Sequence, residues 1–334
     1  MCPRVAIIYN ATEPSRYDSL GEREAVVGVL DAVRAVDDAL KELDYEVEKV
    51  PLAFLPQSPN QGQRFLEADL VFNLFEGFCG RPDTEAEVAE FLTASGMPYT
   101  GCPAPTLRLA LDKATVKAVL KANGIDTPAF QLLTPETTST FRLRYPCIVK
   151  PCGEDASHGI SIESVADSPA ALEQQVARIT QSYGGKALVE EFIDGREFNV
   201  TVLEDSEASV LPVSEIDYTL ADGVPRILTY AAKWDPASPD FKGTQVVCPA
   251  SITEQERERL EEVALRAFRL LGCRGYARID LRVDSDGRVN VLEVNPNPDI
   301  SPGSGAARQA AAAGMTYTQF INRITLRALE RSGR

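Results

Sequence analysis

Histidine is almost missing from this chain: its 334 residues contain one, His158. A His-rich zinc site is therefore excluded, and a Ser/His/Asp relay would have to rest on that single imidazole, so hydrolytic triad chemistry is not expected. Cysteines at 2, 79, 102, 147, 152, 248 and 273 form no C-x-x-C pair, and their odd number suits reduced thiols better than a disulfide framework. Basic residues are outnumbered, with 34 Lys plus Arg against 49 Asp plus Glu, a net charge of -15 and an isoelectric point near 4.7. That balance argues against nucleic acid or an anionic membrane as a main partner. No window approaches the length of a membrane span, and MCPRVAIIYN enters a strand-like run without the basic and long apolar regions of a secretion signal, so a cytoplasmic protein is expected. There is no Walker A sequence and no G-x-G-x-x-G after the first strand, which leaves dinucleotide binding without support.

The chain is long enough to bury a sizeable core and to form two or three lobes. RVAIIYN (4–10) reads as a buried strand, followed by a helical pattern from about Glu22 that places Val26, Val29, Leu30, Val33 and Leu40 near one face. Strands are expected at Tyr45 to Val50 and in ADLVFNLFEG after a Pro/Gln/Asn-rich stretch, 56–63, and TEAEVAEFLTASG reads as a helix ended by Gly96. This alternation implies a parallel sheet covered by helices. GCPAPT, 101–106, interrupts both periodicities and is a candidate boundary. Beyond it come the helix LDKATVKAVLKANG, the strands in YPCIVKP and GKALVEEFIDGREFNVTVL, and a loop-rich region, 205–246, which reads either as a functional lid or as a partly strand-forming excursion. Thr253 and Glu256 form a capping-box pattern for a helix ending at Gly272, and 316–331 reads as a final amphipathic helix.

The segment RIDLRVDSDGRVNVLEVNPNP, 278–298, buries two acids inside apolar strands. Asp286-Gly287 is a two-residue hairpin signal, and pairing Ser285 with Arg288 sets Leu281 against Leu292 and Ile279 against Val294 on one apolar face with Val283. On the other face Asp280 then stands opposite Glu293 and Arg278 opposite Asn295, at Cβ separations of roughly 4.5 to 5.5 Å, with Val289 and Val291 nearer the turn. A three-residue turn would shift this pairing by one. Two carboxylates so close repel unless a positive group lies between them, and magnesium suits carboxylate and amide oxygens. The bland alternative is a solvated polar face whose acids meet no metal.

In CIVKPCGEDASHGISI, Lys150 closes an apolar strand ahead of a Gly- and Ser-containing loop, a combination able to present a cation and backbone N–H groups to phosphates. In LVEEFIDGREF, Glu190, Glu191 and Glu197 surround an apolar Phe192-Ile193 step, as an adenine and a ribose would require. Taken singly, each is also read as a common strand-end lysine or an acidic edge turn, and His158 as a solvent-facing loop residue.

Taken in order, LDKATVKAVLKANGIDTP, YPCIVKP, ALVEEFIDGREF, YAAKW, VCPASI, LGCRGYARIDLRVDSDG and VLEVNPNP resemble the ATP-grasp superfamily, most closely its D-alanine-D-alanine ligase branch. The resemblance implies an α/β chain, α+β in its C-terminal half: an N-terminal parallel α/β domain over 1–103, a small central lid over 104–187 and a C-terminal antiparallel-sheet domain over 188–334. It implies ATP as cosubstrate and two magnesium ions, for which manganese could substitute. Lys113 and Lys150 look like the two phosphate-binding lysines, Lys233 like the further nucleotide-contacting lysine on a mobile loop, Glu190, Glu191, Phe192 and Ile193 like the adenine hinge, and Glu197 like the ribose acceptor. Asp280, Glu293 and Asn295 fall on the metal ligands, and Arg278, with Lys233 and Ser157, on the catalytic positions. The implied reaction is ligation of an amino acid or amine to a carboxylate through an acyl phosphate. A homodimer is expected from the resemblance alone.

Departures gather at the substrate positions. Glu76-Gly77 stands for His-Gly, Ala156-Ser157 for Ser-Ser, Trp234 for Tyr, and Asn295-Pro296-Asn297-Pro298-Asp299-Ile300 for Asn-Thr-x-Pro-Gly-Met; Ser304-Gly305 replaces Ser-Leu. Glu22 matches the glutamate that orders the first-substrate site, although its hydroxyl partners are missing. The expectation is a ligase for a substrate other than D-alanine, with Glu76 and Asp299 favouring a cationic group; a D-alanine ligase with a rearranged pocket and a non-catalytic nucleotide-binding protein are the alternatives.

Overall fold

The computed structural model describes residues 3–11, 13–55, 63–204 and 207–331, so the Pro/Gln/Asn-rich stretch lies almost wholly outside the described residues. The first sheet is parallel, with β1 (Arg4–Asn10) between β2 (Glu46–Leu52) and β3 (Leu70–Leu74). Its central strand is apolar almost throughout because both faces are covered. Val5 and Ile7 pack toward the helices Val29–Glu42 and Tyr317–Arg331, Ala6 and Ile8 toward Phe65, Val88 and Leu92. The helix expected from Glu22 runs as Arg23–Val27 and Val29–Glu42, meeting at Gly28, and follows a short helical turn, Arg16–Leu20. Gly21, left-handed at φ 71°, closes that turn and leads into Glu22, which is buried against His158.

The second sheet is small and antiparallel: β4 (Phe130–Leu133), β5 (Cys147–Pro151), β6 (Val165–Ala166) and β7 (Ala187–Glu191), in the order β4-β7-β5-β6. The helix Pro169–Tyr183 covers it through Leu172, Val176 and Ile179. Because β7 pairs with β5, residues 187–191 belong with this sheet, and the division expected at 188 falls inside a strand.

The third sheet holds β8 (Arg196–Glu204), β9 (Ala208–Val210), β10 (Ser214–Tyr218), β11 (Thr244–Val247), β12 (Tyr276–Val283) and β13 (Val289–Asn295), in the order β11-β10-β8-β12-β13 with β9 on the end of β8. The 205–246 region thus takes the strand-forming alternative, with two short helices, Tyr230–Trp234 and Pro239–Lys242, between β10 and β11. Strand periodicity divides the sheet into two faces. Phe198, Val200, Ile279, Leu281, Val291 and Val294 bury against the helices Lys113–Ala122 and Glu254–Leu270. The latter opens with the expected capping box, in which Thr253 N donates to Glu256 Oε2 at 2.8 Å and Glu256 N to Thr253 Oγ1 at 3.2 Å. The opposite face carries the polar residues.

The β12-β13 hairpin departs from expectation twice, and the two departures cancel. Asp284, not Ser285, closes the turn: its N–H donates to Arg288 O (3.0 Å) while its carboxylate accepts from the N–H groups of Asp286 and Arg288 (2.9 Å each). With Gly287 left-handed at φ 76°, this is the longer turn that shifts pairing by one. A bulge after Asp280 then restores it, so that Arg278–Asn295, Ile279–Val294 and Asp280–Glu293 pair as expected, whereas Leu281 meets Val291 rather than Leu292. Val291 consequently turns into the core instead of onto the polar face, and Leu292 turns toward the cleft.

The turn between β7 and β8 is pressed against the end of β12. A Cβ on Gly195 would lie 1.9 Å from Val283 O, so Gly195→Ala is expected to cost about 2 kcal/mol or more through overpacking. Urea unfolding would measure this; an unchanged midpoint would mean that the turn is free to shift.

Candidate active site

The two antiparallel sheets enclose a cleft of about 840 Å³, part of it open to solvent. Lys113, Lys150, Ser157, Glu190, Glu191, Phe192, Ile193, Glu197, Lys233, Asp280 and Glu293 all line it. Eleven residues read from separate stretches of sequence therefore converge on one space. Ile148, Ile160, Ile227 and Leu292 add apolar walls, the last because of the bulge.

Its floor is an ion cluster. Glu190, 1 % exposed, lies between Lys117 and Lys150, each 3.0 Å away. Burial pushes the Glu190 carboxyl up, but the two lysines outweigh it and hold the group below its ordinary range. Burial and the repulsion of Lys150 depress Lys117 despite Glu190. Lys113 reaches from the first turn of its helix to Glu293 (2.8 Å) and Asp155 (3.2 Å). Burial again opposes charge on both members, and again attraction wins: Lys113 is raised, while Lys113, Lys150 and Lys233 keep Glu293 depressed. Lys233 is lowered by burial and by Arg278.

On the polar face of the large sheet Arg278 donates to both oxygens of Asp280, Nε at 2.8 Å and Nη2 at 3.0 Å. Asp280 also accepts from Asn199 Nδ2 (2.7 Å) and Asn295 Nδ2 (3.2 Å). Among the described residues no three His, Cys, Asp or Glu side chains stand close enough together to hold a metal, and the third oxygen donor available on this face beside Asp280 and Glu293 is an amide, Asn295. Two carboxylates and an amide in register on one face are a hard, all-oxygen donor set that fits magnesium.

Several expected residues are placed differently from their simplest reading. The Glu191 carboxylate turns outward to Arg144 (3.0 Å), leaving only its backbone side to the cleft. Glu197 is held by Arg282 and by the Tyr218 hydroxyl (2.8 Å), while Arg282 also donates to Ile193 O (2.9 Å). Glu22 is saturated by protein donors: Gly159 N at 3.0 Å, the Tyr183 hydroxyl at 2.9 Å to each oxygen, and His158 Nδ1 at 2.7 Å. His158 is thus buried, at 5 % exposure, against the expectation that it faces solvent, because the 15–24 segment folds over it. Trp234 donates its indole N–H to Ala156 O (3.3 Å). Ser304 caps the helix Gly305–Ala312, accepting from Ala307 N, and a Cβ on Gly305 would sit 3.9 Å from Arg278 Cδ.

Glu76 and Asp299 are both exposed where the chain leaves β3 and β13. Asn297 ties these segments together, donating to Phe75 O (3.2 Å) and Glu85 Oε1 (2.6 Å). Gly77 permits the turn after Glu76: it sits at φ 110°, and a Cβ there would lie 2.5 Å from Arg81 O. Desolvation by the surrounding walls, then Asp299 and Asp155, push the Glu76 carboxyl up to about 8, a push that water at the open mouth moderates. Glu85, beside it, is also raised by burial and by Asp155.

Sequence reasoning did not single out Lys117, Asn199, Arg282 or Tyr183. Arg282 and Asn199 carried a signal in strand alternation, since each shares the face of Asp280; Lys117 lies one helical turn from Lys113. Tyr183 carried none, because its partner is 161 residues away.

A small sheet and a large sheet gripping a lysine-floored cleft, with acids in register on the large sheet, define the ATP-grasp fold. The family model of the D-ala D-ala ligase C-terminus matches residues 119–325. A D-alanine–D-alanine ligase of Synechococcus sp. (strain JA-3-3Ab) is 32% identical over 90% of this chain and 88% of its own, and a protein designated y4sG of Sinorhizobium fredii is 37% identical over 78% and 77%. The crystal structure of a D-alanine–D-alanine ligase from Bacillus anthracis complexed with ATP superposes with a TM-score of 0.75, covering 99% of both chains at 19% identity. The chain belongs to the D-alanine–D-alanine ligase family, whose members are ATP-dependent ligases forming C–N bonds.

Lys117→Met would leave Glu190 buried with a single lysine. It is expected to cost about 3 kcal/mol of stability, as for one-sided removal of a buried pair. Denaturant unfolding measures this, and a loss below about 1 kcal/mol would show that water reaches Glu190.

Proposed function

We propose that this chain is an ATP-dependent carboxylate–amine ligase that joins small amino-acid-like substrates through an acyl phosphate, and that its product is not D-alanyl-D-alanine. The observation that carries the second half is the pair Glu76 and Asp299 where the chain leaves β3 and β13, two acids that repel each other, with Asp299 close to Arg278. Unpaired carboxylates in a closing cleft are costly to desolvate, whereas a cationic substrate group would neutralise them.

The roles follow from position. Ile148, Ile160, Ile227 and Leu292 would wall the adenine, with the backbone of Glu191 to Ile193 along its edge and Glu197 toward the ribose. Lys113, Lys150 and Lys233 would hold the phosphates, with Ser157 beside them. Asp280, Glu293 and Asn295 would hold two magnesium ions, or manganese, which supply charge neutralisation to the transferring phosphoryl group when bound. Nucleotide phosphates would take over the lysine that Glu293 engages here, freeing its carboxylate.

Two chemical steps are required. A substrate carboxylate oxygen attacks the γ-phosphorus of ATP and ADP leaves, converting a poor leaving group into a good one. An amine then attacks the acyl carbon, Arg278 stabilises the oxyanion, and phosphate departs as the amide forms and the amine loses a proton. Enclosure of the cleft protects the acyl phosphate from water. In the same reading the lobes divide near 103 and, since β7 pairs in the small sheet, just after 191, so that the small sheet closes as a lid. Among the described residues no helix is long and apolar enough to cross a membrane, and a cytoplasmic setting belongs to the proposal.

Phosphate release from ATP and magnesium across single and paired D- and L-amino acids, with mass spectrometry of products, tests the reading. Amide formation with a cationic partner is expected; a D-alanyl-D-alanine product would make the pocket a variation on the family reaction, and no turnover with any pair would favour a binding role. Glu76→Gln combined with Asp299→Asn should lower kcat/KM for cationic relative to neutral substrates roughly tenfold, equivalent to about 1.4 kcal/mol. Unchanged relative rates would rule out that role.

A pH dependence follows as well. Desolvation, then Asp299 and Asp155, raise the Glu76 carboxyl above the ordinary carboxylate range, toward about 8 less what its exposure to water takes back, and pairing with a cation favours the ionised form. Affinity for a cationic substrate should therefore rise with pH between the ordinary carboxylate range and about 8, with proton release visible by calorimetry in buffers of different ionisation enthalpy; the Glu76→Gln protein should lack both effects.

A further inference from the structure

The single histidine sits where three separate segments of chain meet. Its ring stacks on Tyr17 with centroids 3.9 Å apart and planes 6° from parallel, and lies 5.6 Å from Tyr230. Tyr17 belongs to the helical turn Arg16–Leu20, Tyr230 opens the short helix Tyr230–Trp234, and His158 itself belongs to the loop after β5. Ionised Glu22 can only accept, so His158 Nδ1 carries the hydrogen in their 2.7 Å bond. On the loop's other side Tyr230 N donates to Ile160 O (2.9 Å) and Trp234 to Ala156 O (3.3 Å).

The loop needs such anchors. Ala156 and Ser157 are consecutive non-glycine residues in the left-handed region, at φ 52° and 61°, a conformation that persists only where its surroundings over-determine it. Gly159, φ 73°, lets Tyr183 close onto the loop, since a Cβ there would lie 2.7 Å from the Tyr183 ring. Contacts to the N-terminal unit flank the strained pair on both sides: before it Glu154 accepts from Arg16 and from the Tyr17 hydroxyl (2.5 Å), and after it His158 and Gly159 N bond Glu22 while the imidazole stacks on Tyr17.

The geometry points to His158 as a positioning residue that, through its bond to Glu22, latches the left-handed Ala156-Ser157 turn over the nucleotide end of the cleft and docks Trp234 onto it. This rests on the ligase reading for what occupies the cleft, but not for the latch itself. His158 lines the cleft with its Nδ1 committed to Glu22 and its ring stacked on Tyr17, and in this role it acts by fixing where Ser157 and the neighbouring N–H groups stand. Glu22 is taken up in this chain by an imidazole, the Tyr183 phenol and the Gly159 N–H.

Trp234 is the only tryptophan in the chain, so its emission reports docking without any turnover. Three replacements separate the components: His158→Asn keeps a donor near the Nδ1 position, His158→Phe keeps only the stack, and His158→Ala keeps neither. Expected are acrylamide quenching of Trp234 at least twofold higher in the Ala and Phe proteins, and a Kd for magnesium AMP-PNP about tenfold weaker, with Asn restoring both to within about twofold of the unsubstituted protein. Glu22→Ala, which removes the acceptor shared by His158, Gly159 N and Tyr183, should be at least as defective as His158→Ala, and combining the two should add little further. Trp234 equally shielded in all variants, or Asn as defective as Ala in a protein with an unchanged melting temperature, would overturn the latch. If instead AMP-PNP fails to bind the unsubstituted protein while the quenching pattern holds, the latch stands and the nucleotide reading falls.

Discussion

Asp280 and Glu293 face each other across two paired strands, and most of the surrounding structure serves to satisfy the hydrogen bonds of the first and to keep the second ionised where burial favours protonation. Arg278, Asn199 and Asn295 converge on the first, Lys113 on the second, with Lys150 and Lys233 reinforcing it. The scaffold follows from the same need. The helix Lys113–Ala122 aims Lys113 and Lys117 at adjacent acids, and β8 lies beside β12 so that Asn199 meets Asp280. Ion pairs hold Lys113 to Glu293 and both Lys117 and Lys150 to Glu190, so these cations are fixed in position. Preorganisation of this kind favours charge that develops during reaction, because the dipoles and charges need no reorganisation when it appears.

The two ends of the cleft are built differently. Around the lysines the acids are paired, Glu190 with Lys117 and Lys150, Glu293 and Asp155 with Lys113, Glu197 with Arg282. Where the chain leaves β3 and β13, Glu76, Glu85 and Asp299 make no ion pair among the described residues, and the carboxyls of Glu76 and Glu85 are pushed toward their neutral forms. Asn297 binds Glu85 and Phe75 together, which fixes the acids on two lobes relative to each other.

Much of this was legible in the sequence because the informative residues are governed by short-range rules. Strand alternation and a glycine turn placed Asp280 opposite Glu293; a capping box located the helix beginning at Glu254; an apolar run ending in Lys150 located the rim of the small sheet. What could not be read are the interactions that depend on how distant segments fold together. His158 looked like a loop residue because nothing near it in sequence reveals that Tyr17 and Glu22 close over it, 141 and 136 residues earlier. The turn of the hairpin was misread for a local reason, since the Asp284 side chain competes for the amides that a two-residue turn would have paired. Region 205–246 was ambiguous because β10 and β11 are short and only half buried, so their pattern is carried by few residues.

The bulge at Leu292 has an effect beyond register. Its freed backbone groups are taken by other elements, with Val291 N donating to Asp126 O (2.8 Å), the Thr127 hydroxyl to Val291 O (2.8 Å) and Lys117 to Leu292 O (3.2 Å). The hairpin is thereby clamped midway along its length by the connection between the helix Lys113–Ala122 and β4. Whatever happens beyond that clamp, at the solvent-facing tip, is mechanically insulated from the acids at the base. Tip and base can drift independently over evolutionary time, one free to gain, lose or exchange residues while the other holds its spacing.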